Sequence, residues 1–295
     1  MLLSKMLEGL PAEVVRDVEV TGFGPLNMIG EGLLHWFGDA KFAHQLTALS
    51  GSRAVLTTRE AAASVPDGFG LALCDNPKEL FLKAYRAHGE AIEAPAPFAN
   101  VIDPSARIHP SAVIADHSVR IGANVTIGAN AVVYERVTIE DDVSLGANSV
   151  LGGDGFEVGV IDGLQIVVPH YGSTVIRRGA TIQTNCSVDW GLYGGVTEIG
   201  EGTALDNLVH VAHNVRIGRN CQLIACVFVG GSTVIEDDAR IGPNATVSNG
   251  LRIGKGARVT IGAVVTRDVE EGGHVTGNFA LPHGQFMANL KKSRE

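Results

Sequence analysis

Aliphatic side chains recur at every sixth position through the last third of the chain. From residue 199 to residue 265 this run has no slip, and its members are Ile199, Leu205, Val211, Ile217, Leu223, Val229, Ile235, Ile241, Val247, Ile253, Val259 and Val265. A helix repeats every 3.6 residues and a half-buried strand every two, so neither explains the spacing. Hexapeptide repeats instead build a parallel β-helix, in which each repeat is one short strand and a turn. We therefore predict a three-sided prism with inward aliphatic side chains and about 18 residues to a coil.

The same period extends toward the N-terminus with interruptions. An earlier run comprises Ile121, Ile127, Val133, Ile139, Leu145 and Leu151, and it is preceded, across a one-residue insertion, by Ile102, Ile108 and Ile114. The period breaks at residues 152–175 and again at residues 189–198. We predict that both segments are loops that leave the prism, and loops on a rigid scaffold commonly carry function.

The first 98 residues lack the six-residue period. The segments "SRAVLTTREAAA" and "FGLALCDNPKELFLKAYRAHG" each read as a strand followed by a helix, which indicates a small α/β domain. After residue 270 the chain is expected to leave the prism, with a short helix in "FMANLKKSRE". The prediction is a mostly β protein: a small α/β domain (1–98), a left-handed parallel β-helix of hexapeptide repeats (99–270) and a C-terminal extension (271–295).

Charge and cysteine content narrow the possible partners. The 295 residues carry a formal net charge of −9, which argues against nucleic acid. Residues 1–198 hold 13 basic and 23 acidic side chains, whereas residues 199–295 hold 10 and 9, so an acidic partner or phosphate is expected on the second part. The four cysteines show no paired spacing and are read as reduced thiols of a cytoplasmic protein. Neither a signal peptide nor a membrane span is expected.

Two histidines, His210 and His213, lie three residues apart within "LVHVAHNVRIG". His213 comes two positions after the inward Val211, so its side chain should point out of the prism. One coil further on, about 4.8 Å away, lies Gly231, where a ligand can approach the backbone closely. A backbone N–H beside an outward histidine is a candidate oxyanion donor beside a candidate base. Two other readings stay open: a histidine without function, and a metal site, for which the sequence offers no third ligand.

The order of motifs adds to the repeat. The chain resembles the UDP-3-O-(3-hydroxyacyl)glucosamine N-acyltransferases of lipid A biosynthesis over nearly its whole length, through "LHWFGDAKFAHQL", "RAVLTTREAA", "ANVIDPSARIHPSAVI", "VLGGDGFEV", "VVPHYGSTVIRRGATIQTNCSVDWG" and, most specifically, "ALDNLVHVAHNVRIG". The resemblance implies transfer of a 3-hydroxyacyl group from acyl carrier protein to the 2-amine of a UDP-3-O-acyl-glucosamine. It also implies a homotrimer with active sites between neighbouring prisms, and no cofactor beyond the phosphopantetheine that the donor carries.

Acyl transfer to an amine needs a base for the amine proton and hydrogen-bond donors for the oxyanion. The resemblance implies that His213 is this base and Gly231 the oxyanion donor, in agreement with the stacking of the coils. It implies substrate or base contacts for Asp206, Asn207, His210, Asn214, Phe156 and His170. The nucleotide is expected to bind in the first domain on Trp36, Asp39, Lys41 and Phe42, with Phe37 in that domain's core.

The chain departs from the family pattern at several of these positions. Asp39 replaces the usual asparagine, Phe42 the usual tyrosine, and Gly250 a second histidine of the family. Ala225 and Cys226 lie in a stretch that is usually glycine-rich and lines the acyl groove. These departures favour an alternative, a short-chain or acetyl-coenzyme A-dependent N-acyltransferase acting on another nucleotide amino sugar for a surface polysaccharide. A non-catalytic solenoid is a third possibility. A docking surface for the carrier protein is expected, if present, on Arg216, Arg219, Arg240, Arg252, Lys255 and Arg258.

Overall fold

A twisted five-stranded sheet forms the N-terminal part of the protein. The structure is a computed structural model that describes residues 1–26, 28, 30–47, 53–277 and 279–293. The sheet has the order β1-β5-β4-β3-β2, with β1 antiparallel to β5 and the other neighbours parallel. Its strands are β1 (Glu13–Arg16), β2 (Gly22–Phe23), β3 (Leu33–Trp36), β4 (Ala54–Thr57) and β5 (Gly70–Leu73); the helices of this part are α1 (Leu3–Met6), α2 (His44–Thr47) and α3 (Pro77–Glu93).

The two predicted strand–helix pairs of this part have different outcomes. The second is confirmed, because β5 leads into α3, whose first turn is capped by the Asn76 side chain accepting from the Glu79 N–H at 3.2 Å. The first is wrong in its helix: β4 is followed only by a 3₁₀ turn at Ala62–Ser64. Pro66 explains the difference, because the residue before a proline is pushed out of the α region, and Val65 is extended.

Three parallel sheets of short strands make up the rest of the fold. The strands before the first excursion are β6 (Val101–Ile102), β7 (Arg107–Ile108), β8 (Val113–Ile114), β9 (Val119–Ile121), β10 (Thr126–Ile127), β11 (Val132–Val133), β12 (Val137–Ile139), β13 (Ser144–Leu145) and β14 (Val150–Leu151). A hairpin of β15 (Val158–Ile161) and β16 (Leu164–Val167) follows. The later strands are β17 (Ser173–Ile176), β18 (Thr181–Ile182), β19 (Ser187–Val188), β20 (Val196–Ile199), β21 (Ala204–Leu205), β22 (His210–Val211), β23 (Arg216–Ile217), β24 (Gln222–Leu223), β25 (Phe228–Val229), β26 (Val234–Ile235), β27 (Arg240–Ile241), β28 (Thr246–Val247), β29 (Arg252–Ile253), β30 (Arg258–Val259), β31 (Val264–Val265) and β32 (His274–Val275).

The chain visits three faces in turn, as the period of six predicts. Face 1 is β29-β26-β23-β20-β17-β12-β9-β6, face 2 is β32-β30-β27-β24-β21-β18-β13-β10-β7, and face 3 is β31-β28-β25-β22-β19-β14-β11-β8. Val211 pairs with Val229 on face 3, one coil of 18 residues further along. The twelve aliphatic residues of the unbroken run are at most 6% exposed and form one continuous core. The predicted class, a left-handed parallel β-helix with a small N-terminal α/β region, is confirmed.

The corners of the prism use left-handed backbone at a fixed repeat position, the third residue after each inward aliphatic residue. Asn214 (φ 58), Asn220 (φ 54) and Asn244 (φ 56) all occupy it. Asparagine tolerates this region better than most residues, and glycine enters it freely, as Gly250 does at φ 70. The corner chemistry therefore explains why asparagine and glycine recur with the same period as the aliphatic core.

Both predicted breaks in the period are excursions from the coil. Face 1 resumes after the first because Ile139 pairs with Ile176, and after the second because Ile176 pairs with Ile199. Residues 152–175 contain the hairpin β15–β16, whose two-residue turn is Asp162-Gly163 with positive φ at both positions. The two predicted excursions are observed, but each ends earlier than predicted, because residues 173–175 and 196–198 already belong to β17 and β20 of face 1.

The prism continues further toward the C-terminus than predicted. Val269 bridges to Ile253, and Val275 of β32 pairs with Val259, so coil structure persists beyond residue 270. The prediction failed here because the turn after Val265 is two residues shorter than a full hexapeptide, which shifts the aliphatic positions out of the period. The C-terminal helix, α4 (His283–Lys292), is observed as expected.

The α/β part packs firmly on the two excursions. Ile161 and Val168 from the first excursion and Leu192 from the second join a buried cluster with Phe81 and Tyr85 of α3. The last residue of α3, Glu93, accepts the Phe23 N–H at 2.9 Å and also interacts with the backbone of Gly194. This packing holds both excursions against face 3 and creates a cleft there.

Candidate active site

A cleft of about 1050 Å³ lies where the α/β part, the two excursions and face 3 meet. Trp36 and Lys78 line it from the α/β part, and Phe156 lines it from the first excursion. His213 and Gly231 form part of the wall made by the prism. The cleft is therefore built from segments distant in sequence, and its size suits a ligand larger than a metabolite fragment.

His213 points outward at the corner between faces 3 and 1, as its repeat position predicts. Its ring lies over Gly231 of the next coil: a Cβ added to Gly231 would be 2.6 Å from His213 Nε2. The carbonyl of His213 accepts the Ser232 N–H at 2.8 Å, which fixes the two coils beside each other. A side chain at position 231 would therefore displace the imidazole, and the predicted pairing of histidine and glycine is observed.

The environment keeps the His213 ring uncharged. Burial, together with a smaller effect of the neighbouring His170, lowers the pKa of His213 from 6.5 to about 4. At neutral pH the ring therefore carries one free lone pair that can accept a proton. A neutral imidazole on a cleft wall can accept a proton, which is the first requirement of a general base.

His170 lies behind His213 and is 1% exposed. The two rings meet edge to face, with centroids 5.3 Å apart. The ring Nδ1 of His170 is 2.9 Å from the carbonyl oxygen of Val168, and the backbone N–H of His170 donates to the Asp154 side chain at 2.9 Å. Its predicted contact with substrate stays a prediction. The sequence motif identified His170, but its contact with His213 could be seen only in the folded first excursion.

An aspartate that the sequence reasoning missed lies beside the histidine pair. Asp189 directly follows β19, is 7% exposed, and has its Oδ2 3.7 Å from His210 Nε2. Burial raises the pKa of Asp189 to about 7, while burial lowers the pKa of His210. The His210 ring also stacks on Phe228 of the next coil, with centroids 5.4 Å apart. The sequence did offer a sign of this residue, because an acidic side chain directly follows the inward Val188 at the point where the six-residue period breaks.

Asn214 anchors the second excursion instead of contacting the base. Its side-chain oxygen accepts the Leu192 N–H at 2.9 Å, and its amide donates to the Leu192 carbonyl at 3.1 Å. Its own N–H donates to Thr197 Oγ1 at 2.9 Å. The oxygen and the nitrogen of the Asn214 side chain thus both bond the backbone of Leu192, which holds the second excursion beside His213.

Asp206 and Asn207 lie at a different corner. They follow β21 on face 2, whereas His213 follows β22 on face 3, so a whole face separates them within one chain. Asp206 accepts from Asn207 at 2.7 Å and from the Ala225 N–H at 3.1 Å, which shapes the corner. Their predicted contact with substrate stays a prediction that requires a neighbouring chain.

The predicted nucleotide residues divide into two groups. Trp36 lines the cleft, with Lys78 Nζ 5.8 Å from the centre of its ring, and Phe156 lines it at 79% exposure. Asp39, Lys41 and Phe42 are not among the cleft residues; they form an exposed turn in which Lys41 pairs with Asp39 at 2.9 Å and lies over Phe42. Phe37 is buried in the domain core as expected. Of the predicted nucleotide residues, Trp36 is therefore the one that lines the cleft.

The positions that depart from the family pattern also divide. Gly250 lines the cleft, where its lack of a side chain leaves space. Cys226 is exposed at the corner between faces 2 and 3, away from the cleft of its own chain.

Among the predicted basic residues, Arg219 pairs with Asp237 at 2.9 Å and Arg252 with Glu236. These two arginines are thus partly neutralised by the same surface.

The described residues contain no group of three or more histidine, cysteine, aspartate or glutamate side chains placed to hold a metal ion. All four cysteines are free thiols. Within the same part of the chain, no helix combines the length and apolar character needed to cross a membrane.

Comparison with known proteins agrees with the hexapeptide repeat. Residues 118–153 match the bacterial transferase hexapeptide family (six repeats), and residues 232–267 match the hexapeptide repeat of succinyl-transferase. The solved UDP-N-acetylglucosamine acyltransferase from Campylobacter jejuni superposes with a TM-score of 0.50 and 21% identity, over 61% of this chain and 70% of that chain. That likeness shows the fold alone. The prism and the family matches together define a protein of the hexapeptide-repeat class.

The particular family follows from sequence similarity. The UDP-3-O-acylglucosamine N-acyltransferase of Methylobacterium nodulans is 35% identical over 316 aligned positions, covering 96% of this chain and 89% of that protein. The protein of the same name from Caulobacter sp. strain K31 is 41% identical over 154 residues, or 50% of this chain and 44% of that one. The chain belongs to the UDP-3-O-acylglucosamine N-acyltransferase family.

Proposed function

We propose that this protein transfers a 3-hydroxyacyl group from acyl carrier protein to the 2-amine of a UDP-3-O-acyl-glucosamine. The observation that carries the proposal is the neutral imidazole of His213, held over Gly231 in a cleft of about 1050 Å³. The substrate class comes from the named relatives, one of which aligns with 96% of the chain.

In the proposed mechanism His213 Nε2 is the general base. The amine attacks the thioester carbonyl and loses a proton to Nε2 as the carbon–nitrogen bond forms. The tetrahedral intermediate then expels the thiolate of the phosphopantetheine, which leaves an amide and a free thiol after the proton returns. A positioned base of this kind typically contributes about 10²- to 10⁴-fold in rate.

The backbone N–H of Gly231 is the proposed oxyanion donor, and the repeat itself supports this role. Gly231 is the second residue after an inward aliphatic residue. At the same repeat position, the N–H of Ala123 donates to Asp141 at 2.9 Å, and that of Arg219 donates to Asp237 at 2.8 Å. The N–H at this position therefore reaches anionic oxygens outside the prism. We infer that the Gly231 N–H is offered to the oxyanion in the same way.

The trimer implied by the family would complete the site. The cleft is open on the side of face 3, where Phe228 and Val264 are 42% and 70% exposed. A neighbouring prism covering these side chains would exclude water from the acyl chain and would bring residues from its own corner near His213. Asp206 and Asn207 are candidates for that contribution.

The test is a transfer assay on the purified protein. UDP-3-O-(3-hydroxyacyl)-glucosamine is offered with 3-hydroxyacyl carrier proteins of several chain lengths, and acetyl-coenzyme A is offered with UDP-amino sugars in parallel. Amide products are quantified by mass spectrometry. We expect long-chain transfer that falls at least about 10²-fold in His213→Ala. His109→Ala, at an exposed position of an early coil, is the control and should be unaffected.

Two outcomes would overturn the proposal. Activity only with the short donor would assign the protein to the alternative, a coenzyme A-dependent N-acyltransferase for another nucleotide amino sugar. Unchanged transfer in His213→Ala would remove the base from its proposed role whatever the substrate.

A further inference from the structure

Two buried ring nitrogens next to the cleft have no hydrogen-bond partner among the described residues. They are Nε2 of His170 and Nδ1 of His213. Buried polar atoms are nearly always paired in folded proteins, so two such atoms on neighbouring rings call for a common explanation. The inference below rests on the proposed role of His213 as the base.

The contacts of His170 fix which of its nitrogens carries the hydrogen. Nδ1 lies 2.9 Å from the carbonyl oxygen of Val168, which can only accept, so Nδ1 is the donor. Nε2 of the neutral ring is then a bare lone pair. The backbone of His170 is held at both ends. Its backbone N–H donates to the Asp154 side chain at 2.9 Å, and its carbonyl accepts from Arg136 at 3.2 Å. His170 therefore presents an acceptor in a fixed place.

Gly155 leaves the space between the two rings open. A Cβ added to Gly155 would lie 2.9 Å from His170 Nε2 and 3.3 Å from His213 Cδ2. Turning the His213 ring by 180° about its Cβ–Cγ bond exchanges Cδ2 with Nδ1 and Cε1 with Nε2. The added Gly231 Cβ lies 2.6 Å from Nε2 and 2.7 Å from Cε1, so the turn keeps a nitrogen over Gly231. It also brings Nδ1 to the side of His170.

We propose that His170 is a positioning residue for His213: it accepts the hydrogen on His213 Nδ1, directly or through one buried water. This bond would satisfy both unpartnered nitrogens at once. It would also fix the tautomer in which Nε2 keeps its lone pair and faces Gly231 and the cleft. A neutral histidine thereby does what a carboxylate commonly does for a catalytic histidine, without adding a negative charge to the buried site.

The charged and titratable groups near the two rings include Asp154, Tyr171, Asp189, His210 and Arg136. Asp189 is the competing acceptor, because its Oδ2 lies 3.1 Å from the same added Cβ on Gly155. Its neighbours Ser187 and His210 also approach this carboxyl group. Asp189 must therefore be tested in parallel.

The experiment compares His170→Gln with His170→Phe. Glutamine keeps an oxygen acceptor, whereas phenylalanine keeps the ring volume and removes the acceptor. We expect kcat to fall about 10- to 100-fold in His170→Phe with little change in KM, and to stay within about 3-fold of wild type in His170→Gln. His109→Gln and His109→Phe are the matched controls at an exposed histidine. Thermal unfolding identifies any variant that fails to fold.

A spectroscopic readout makes the test independent of turnover. With ¹⁵N-labelled histidine, long-range ¹H–¹⁵N spectra should show the hydrogen of His213 on Nδ1 in the wild type and in His170→Gln. In His170→Phe the two tautomers should mix. The His213 signal is assigned by its loss in His213→Ala.

Three results would overturn the proposal. The first is a hydrogen on Nε2 of His213 in the wild type, and the second is equal activity of His170→Phe and wild type. The third is a loss confined to Asp189→Asn, which would make Asp189 the orienting group. If His213→Ala itself retains full activity, the proposed function fails instead, and this outcome is distinguishable from the other three.

Discussion

At the scale of single residues, the proposed catalysis needs the imidazole of His213 and the absence of a side chain at Gly231. His213 supplies the lone pair, and Gly231 supplies the space into which its ring extends. Both were predictable from the sequence, because a coil of fixed length places position 231 beside position 213. The sequence could not place His170 and Asp189 against them, since these residues lie in or beside excursions that do not follow the period.

Gly231→Ala tests this close approach. The new Cβ would meet the His213 ring at 2.6 Å, so the imidazole must move away from its place over the coil. We expect kcat/KM for acyl transfer to fall about 10²-fold, as for loss of alignment at other catalytic groups. Gly68→Ala is the control, because an added Cβ there meets nothing within 4 Å. Equal activity of Gly231→Ala and wild type would contradict the proposed geometry.

At the scale of elements, the site depends on how the two excursions are held against the prism. Sequence reasoning located both breaks but could not predict the hairpin β15–β16 or its packing under α3. The reason is physical: coil residues repeat their environment every six positions, whereas Ile161, Val168 and Leu192 are buried only by a separate domain. The same limitation affected the C-terminal end of the prism, where one shortened turn hid the last strand.

Asn214→Gly tests the anchor of the second excursion. Glycine keeps the left-handed backbone of the corner, so the variant removes only the two hydrogen bonds to Leu192. We expect about a 10-fold lower kcat/KM and faster hydrogen exchange in residues 189–195, with a smaller effect on global unfolding. The matched control is Asn220→Gly, at the same repeat position of the next corner, where the side chain is exposed. Similar effects of both substitutions would show that the anchor has no special role.

Glu93 connects α3 to both halves of the protein and gives stability a pH dependence. Burial raises the pKa of Glu93 from 4.5 to about 8, although the Phe23 N–H donates to its carboxyl group. The folded state therefore keeps a proton that the unfolded state loses, and stability should decrease as pH rises from about 4.5 to about 8. The total effect is a few kcal/mol, at about 1.4 kcal/mol for each unit of pKa shift.

Glu93→Gln isolates this contribution. The substitution removes the ionisable group, so the variant should lose less stability than the wild type between pH 5 and pH 8.5. Thermal or urea unfolding at the two pH values measures the difference. Glu90→Gln, on the exposed side of the same helix, should behave like the wild type. A wild-type protein that gains stability over this interval relative to Glu93→Gln would contradict the assigned direction.

At the scale of the whole molecule, the prism holds the site residues in register, but the cleft of a single chain stays open to solvent. The continuous aliphatic core keeps successive coils in register, and this register is what aligns position 213 with position 231. One chain leaves Phe228 and Val264 exposed beside the cleft. Burial of such side chains is worth roughly 1.5–3 kcal/mol each, which favours association along this face.

We expect the protein in solution to have about three times the mass of its 30.9 kDa chain. Light scattering coupled to size-exclusion chromatography measures this directly. Val264→Glu should weaken the assembly, because it places a charge where an apolar side chain is proposed to be covered, and activity should decline with it. Val113→Glu, an exposed valine in the first strand of face 3, is the control. A fully active monomer would exclude the shared-site arrangement.

If the His213 imidazole removes the proton from the attacking amine, free imidazole should replace it in a variant that lacks the side chain. His213→Gly leaves room for a free imidazole molecule beside Gly231. We expect amide formation from 3-hydroxyacyl carrier protein and UDP-3-O-acyl-glucosamine to fall at least about 10²-fold in this variant, and added imidazole to restore part of the rate in proportion to its concentration. A variant that forms the amide at the wild-type rate without imidazole would contradict the claim.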